Sequence, residues 1–170
     1  AYFGVQADLV TYGKTLGGGL PVGAVCGSER WMRRINPERP GDICFARGTF
    51  NAHPYVMASM HVFLQHWLSD AGRSQVEQAQ SVWAERLLDT NRKLKVHGIP
   101  IRFVGWQTVW TLIYDVPARY NWMFQYYLRK HGLALSWVGT GRWIFNFSYT
   151  DAEFEQVVQA VLKAGEDMIE

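Results

Sequence analysis

Paired cysteines are missing from these 170 residues: Cys26 and Cys44 are the only two, too few for a disulfide framework and without the spacing of a zinc site. A reducing, cytoplasmic setting is the default expectation. Blocks of like charge are missing too. The 17 Lys and Arg and 15 Asp and Glu are scattered, and a net charge of +2 gives nothing to draw nucleic acid or an anionic membrane. No apolar run approaches the roughly 18 to 20 residues of a spanning helix, and residues 1–20 lack the order of a signal peptide. His53, His61, His66, His97 and His131 have no metal-ligand spacing, and no repeat or low-complexity segment occurs. What is present is ordinary globular material. At 48% hydrophobic content the chain buries a real core as one domain or two small ones. Its eight Trp mark a core or an interface rich in large rings.

Punctuation divides the chain. Asp8 to Tyr12 and Val22 to Cys26 are short β-prone runs, with the turn Gly17-Gly18-Gly19 between them. Ser28 before Arg30-Trp31-Met32 suggests a capped short helix, and residues 36–42 read as a loop. Asn51, with Pro54 in the first turn, opens a buried helix reaching Trp67, and Asp70-Ala71-Gly72 interrupts it. A second helix runs from about Ser74 to Val96 and stops at His97-Gly98. Ile101 to Tyr114 reads as two strands with Gly105 as a bend or bulge, and residues 118–131 as an aromatic helix. Leu133 to Trp137 and Trp143 to Phe147 read as further strands. Thr150-Asp151-Ala152-Glu153 is a capping pattern opening an amphipathic helix. Residues 73–170 therefore suit a compact α+β domain with helices on one antiparallel sheet, and residues 1–72 the tail of a larger α/β domain. The opening Ala1-Tyr2-Phe3-Gly4 reads like the middle of a loop, so sequence is expected upstream.

Lys14 carries the chemistry. A lysine at the end of an apolar strand, followed closely by three glycines, is costly to bury unless something offsets the charge. Desolvation favours the neutral amine, which is the nucleophile that Schiff-base formation with an aldehyde requires. Glycines beside it let backbone pass close to a flat partner. From position alone, a surface lysine before a flexible turn is the competing reading. Gly13-Lys14-Thr15 also matches the end of a Walker A loop, but that motif needs glycine at position 8, where Asp8 stands.

Taken whole, residues 8–24, from Asp8-Leu9-Val10-Thr11-Tyr12-Gly13-Lys14 through Gly17-Gly18-Gly19 to Gly23-Ala24, resemble the cofactor-lysine signature of class III aminotransferases. The likeness is greatest to their glutamate-1-semialdehyde aminomutase branch. Gly48-Thr49-Phe50-Asn51-Ala52-His53-Pro54 resembles that family's glycine-threonine loop. The resemblance implies the C-terminal part of a fold-type-I transferase that uses pyridoxal 5′-phosphate, with Lys14 as the Schiff-base lysine. It implies a homodimer in which Gly48, Thr49 and Phe50 reach the cofactor phosphate of the other subunit, consistent with free amides at a helix N-terminus. It also implies small-molecule substrates, an amino donor and a carbonyl acceptor, with Arg142 a candidate for holding a substrate carboxylate by a bidentate pair. Tyr12 and Trp137 are candidate pocket residues.

Where relatives carry a small-Ala-His-Thr sequence before the last helix, this chain has Asn146-Phe147-Ser148-Tyr149-Thr150, which leaves the substrate class open. In relatives the phosphate turn, the ring over the pyridine and the acid on its nitrogen lie upstream of the lysine. These 170 residues alone are therefore expected to be inactive. In the complete protein, amino-group transfer is the first expectation, with an intramolecular aminomutase next and a non-catalytic dimerisation or regulatory module as the alternative class.

Overall fold

The computed structural model describes residues 4–119, 121–135 and 141–170. The chain divides into two compact units, Ala1–Arg73 and Ser74–Glu170.

In the first unit, β1 (Leu9–Gly13) and β2 (Gly23–Gly27) form an antiparallel ribbon in which Val10 faces Cys26 and Tyr12 faces Ala24. A single 3-10 turn, Lys14–Gly17, connects β1 to the glycines. The short helix α1 (Glu29–Met32) follows β2, with Ser28 at its N-cap position but making no side-chain cap bond. The helix α2 (Pro54–Trp67) begins at the proline, later than Asn51, because Pro suits the first helical position and needs no N–H partner there. None of the core side chains comes from this unit among the described residues, and Ile35, Phe45, Phe50 and Tyr55 are exposed.

The expected interruption at Asp70-Ala71-Gly72 lies instead at Leu68-Ser69, and the helix α3 runs from Asp70 to Val96. The Ser69 hydroxyl accepts a hydrogen bond from the Gly72 amide at 3.1 Å, the N-cap bond that starts a helix. Gly72 is glycine for a steric reason, since a Cβ there would meet the His66 carbonyl oxygen at 2.3 Å. A residue that read as a breaker is the one that lets two helices meet end to end.

The second unit is a three-stranded antiparallel sheet with helices packed on it. Its strands are β3 (Ile101–Trp106), β4 (Val109–Tyr114) and β5 (Arg142–Ile144), in the order β3-β4-β5. Gly105 is neither bend nor bulge. It pairs in register with Trp110, whose ring would lie 2.4 Å from any added Cβ. The aromatic helix is shorter than expected, a 3-10 turn at Asn121–Met123 followed by α4 (Phe124–Lys130). Residues 133–135 are not strand, and Ser136 and Trp137 lie outside the described residues. The strand expected from Trp143 to Phe147 is displaced and shortened. The Phe145 amide still donates to the Thr108 carbonyl at 2.9 Å in the register of the ladder, and Asn146 Oδ1 then accepts from the Ser148 amide at 2.8 Å, turning the chain off the sheet. The last helix, α5 (Asp151–Ile169), opens with a full capping box between Thr150 and Glu153.

Large rings make the core. Trp83 stacks on Phe145 at 4.8 Å and meets Trp110 and Phe154 edge-on at 5.8 and 5.5 Å. The Arg86 guanidinium lies over Trp83 and Phe154 and reaches the Tyr149 carbonyl at 3.1 Å and the Asp151 carboxylate at 2.8 Å. Offset and edge-on contacts of this kind add about 1 kcal/mol each beyond the area they bury.

Candidate functional site

Lys14 is the first residue of the 3-10 turn, one step later than the strand end the sequence suggested. Its backbone has a φ of 53°, the left-handed region that side chains with a Cβ rarely occupy. The turn is closed by the Gly18 amide on the Thr15 carbonyl at 2.9 Å and the Leu20 amide on the Gly17 carbonyl at 3.0 Å. Gly18 and Gly19 follow with φ of 57° and 100°, which is why glycine stands at both. Gly17 is buried, and a Cβ on it would press Val22 Cγ1 at 2.9 Å. From α2, the Ser59 hydroxyl donates to the Gly17 carbonyl at 2.7 Å.

Lys14 is exposed, and its side chain makes no hydrogen bond or ion pair to any described residue. The dry pocket expected around this amine is thus not formed by the described residues alone. Each strand of the ribbon has one half-buried residue, Val10 and Ala24, and the rest, Tyr12 included, is open. Two strands alone cannot cover their own faces. Walls that exclude water from the amine are not supplied by the first unit's described residues.

Gly48, Thr49 and Phe50 lie in an exposed turn, closed by the Asn51 amide on the Gly48 carbonyl at 3.0 Å and the His53 amide on the Phe50 carbonyl at 3.2 Å. Ala52 holds a left-handed φ of 55°. The N-cap position of α2 falls on His53, whose side chain makes no cap bond, so Thr49 does not cap this helix and Asn51 does not open it. His53 Nδ1 is buried without a hydrogen-bond partner among the described residues, and the centroid of its ring lies 6.1 and 5.4 Å from those of Phe50 and Tyr55. The first amides of α2 thus have no side-chain acceptor, which keeps them available to an anion.

Arg142 belongs to the second unit. It is the first residue of β5, exposed, paired in register with Thr111, and without a described partner. A cavity of about 370 Å³, lined by Leu133, Leu135, Tyr149 and Val157, adjoins it. Trp137 lies outside the described residues. Among the described residues no group of His, Cys, Asp or Glu could hold a metal ion, and no helix is long and apolar enough to cross a membrane.

The carboxylates with displaced titration all lie in the second unit, where Glu155 and Asp167 tie α5 to neighbouring elements while Asp89 and Glu153 bond within or at the start of their own helices. Hydrogen bonds from Arg92 and Lys93 hold Asp89 below its ordinary range. Those from Lys93 and Gln159 do the same for Glu155, those from Lys130 and His131 for Asp167, and the Thr150 cap for Glu153. None of these is a catalytic arrangement. Sequence reasoning missed Ser59 and His53. For Ser59, the available signal was a hydroxyl on an otherwise apolar helical stripe between Met57 and Met60.

Comparison with known proteins covers both units. The chain is 29% identical over 173 residues to glutamate-1-semialdehyde 2,1-aminomutase from Methanopyrus kandleri, spanning 96% of this chain and 39% of that protein. With the enzyme of the same name from Aeropyrum pernix it shares 48% identity over 58 residues, 34% of this chain and 13% of that one. Among solved structures, an omega-transaminase from Sphaerobacter thermophilus superposes with a TM-score of 0.80 at 22% identity, over 99% of this chain and 40% of that one. A transaminase with PLP bound superposes with a TM-score of 0.77 at 21% identity, over the same shares. The fold is accordingly the C-terminal part of a fold-type-I transferase, in a family whose aminotransferases and aminomutases use pyridoxal phosphate. The description "Aminotransferase class-III" matches residues 1–164, and the chain belongs to the class III aminotransferase family.

Proposed function

We propose that, in the complete protein, Lys14 holds pyridoxal 5′-phosphate covalently and serves transfer of an amino group between a donor and a carbonyl acceptor. The observation that carries this is the class III match over residues 1–164, with Lys14 on a turn fixed by left-handed backbone and a hydrogen bond from a helix. The residues present fit the amine end of the cofactor. They also fit its phosphate end, through the Thr49 hydroxyl, the Gly48-Phe50 turn and the uncapped start of α2.

When bound, pyridoxal phosphate withdraws electrons from the amino-bearing carbon and so makes its proton removable. Lys14 would hold the cofactor through its amine and, when that amine is free, would take a proton from the substrate α-carbon and return it as base and then acid. Thr49 donates to the phosphate, across a homodimer interface. Phe50, 78% exposed, suits a surface that a second subunit covers. Arg142 offers a bidentate grip to a substrate carboxylate. The chain spans about 40% of the length of its relatives, so the remaining walls of the pocket come from outside these residues. Residues 1–72 are the end of a large cofactor-binding domain and 73–170 a small C-terminal domain.

Intramolecular amino shift is the second reading, favoured by the aminomutase relatives. Incubation of the complete protein with pyridoxal phosphate, borohydride reduction and peptide mass analysis tests the proposal. A cofactor-sized adduct on Lys14 is expected, and an unmodified Lys14 would leave a non-catalytic module with this fold. Adding an amino donor and following the cofactor absorbance then separates transfer, which releases a keto product, from isomerisation.

A further inference from the structure

Resting on that role for Lys14, we infer that Ser59 is a positioning residue for the Lys14 amine, acting through the carbonyl of Gly17. A serine inside a helix ordinarily turns its hydroxyl to the carbonyl one turn back along its own helix. Ser59 instead donates to a carbonyl 42 residues earlier, at 2.7 Å. The Gly17 carbonyl also accepts the Leu20 amide at 3.0 Å, so both of its lone pairs are engaged. One of those two bonds comes from within the turn, and the other fixes the turn from outside.

Close packing makes the link stiff. A Cβ on Gly18 would lie 2.6 Å from Ser59 Oγ, so the backbone after the lysine turn rests against this hydroxyl with no side chain between. Lys14 itself holds a left-handed φ of 53°, a conformation that persists where surrounding contacts over-determine it. The Ser59 bond is such a contact. It also joins the lysine turn of one site to the phosphate loop that this chain lends to its partner's site. Ser59 lies five residues into a helix whose preceding loop carries Gly48, Thr49 and Phe50, about 7.5 Å of axial rise from Pro54. The amine's turn and the phosphate loop are thereby registered on the same rigid rod. Alanine would keep the helix and its packing and lose only the bond, so the position separates support of the amine from support of the fold.

Ser59→Ala and Ser59→Thr in the complete protein test this with three readouts. In cofactor-free protein, acetic anhydride labelling of Lys14 is measured against Lys93, whose ion pairs with Asp89 and Glu155 lie in the other unit. Deuterium uptake is followed at the Gly18 and Leu20 amides. After loading and borohydride reduction, the adduct on Lys14 is quantified. Ser59→Ala is expected to speed exchange at Leu20 by about tenfold and to change the relative labelling of Lys14 by about threefold. Ser59→Thr, which keeps the hydroxyl, is expected to restore both. Labelling of Lys14 that matches the parent in Ser59→Ala overturns the inference, and so does faster exchange with unchanged labelling, which marks a purely structural bond. Ser59→Thr behaving as alanine overturns it as well, because the hydroxyl is then not the agent. Absence of an adduct on Lys14 in the parent protein sinks the proposed function instead, whatever the Ser59 variants do.

Discussion

Asn91 on α3 bonds both polar atoms of the Phe103 backbone: its side-chain amide donates to the Phe103 carbonyl at 2.8 Å, and its side-chain oxygen accepts the Phe103 amide at 2.7 Å. β3 is an edge of the sheet, and the side chain occupies the place where another strand would pair. Phe103 is 3% exposed, so these backbone groups have little access to water. Asn91→Ala is expected to lower stability by about 2 kcal/mol, read as a shift of the urea midpoint followed by Trp fluorescence. An unchanged midpoint would mean that water replaces the amide at the edge.

Lys14→Ala in the complete protein is expected to abolish the borohydride-trapped adduct and to lower kcat by a factor on the order of 10² to 10⁴, the usual range for loss of a positioned acid-base group. Far-ultraviolet dichroism should not change, because the side chain touches no described partner. A variant that keeps its adduct at another lysine would redirect the assignment.

Acid should loosen the second unit before neutral pH affects it. Glu155 and Asp167, on α5, titrate below their ordinary range, chiefly through hydrogen bonds from Lys93 and Lys130. A depressed carboxylate contributes stability above its unfolded pKa of about 4, and that contribution is lost as pH falls through the lower folded value. Lys93 and Lys130 are displaced upward, by Glu155 and Asp167 in turn, so their share is present below about pH 10.5 and lost above it. Stability measured by urea is expected to fall as pH drops below about 4. The double change Glu155→Gln with Asp167→Asn should flatten the acid limb, and an unaltered limb would assign it elsewhere.

Gly105→Ala is expected to cost about 1 to 3 kcal/mol, since its methyl would meet Trp110 Cδ1 at 2.4 Å and the ring has no room to retreat. Thermal unfolding with near-ultraviolet dichroism, which reports ring packing, checks this. A normal melt with altered ring signal would mean that Trp110 can repack.

The parts of the fold legible in sequence are those fixed by local rules. The Thr150-Glu153 capping pattern is a full box, and the two strands between Ile101 and Tyr114 form a hairpin. His131-Gly132 ends α4, with Gly132 at a φ of 85°. What was illegible depends on distant atoms. Gly72 reads as a helix breaker until the His66 carbonyl is seen beside it, and Gly105 as a bend until Trp110 fills its place. At the candidate site, Lys14 and the Gly48-Phe50 loop were legible as motifs. Ser59 was not, because the carbonyl that gives it meaning lies on another element.

The ring cluster of the second unit also dictates an order of events during synthesis. Trp83 and Trp110 are made early, yet the side chains that close over them include Phe154, Val158 and Val161 of α5. The hairpin of β3 and β4 has every partner it needs within a dozen or so residues and can form while the nascent chain is still growing. Phe145 and Phe103 can cover one side of these indoles before α5 is made, and the side that Phe154 meets stays open until then. Slowing translation just ahead of α5 is therefore expected to lengthen the time for which that side of the core is exposed.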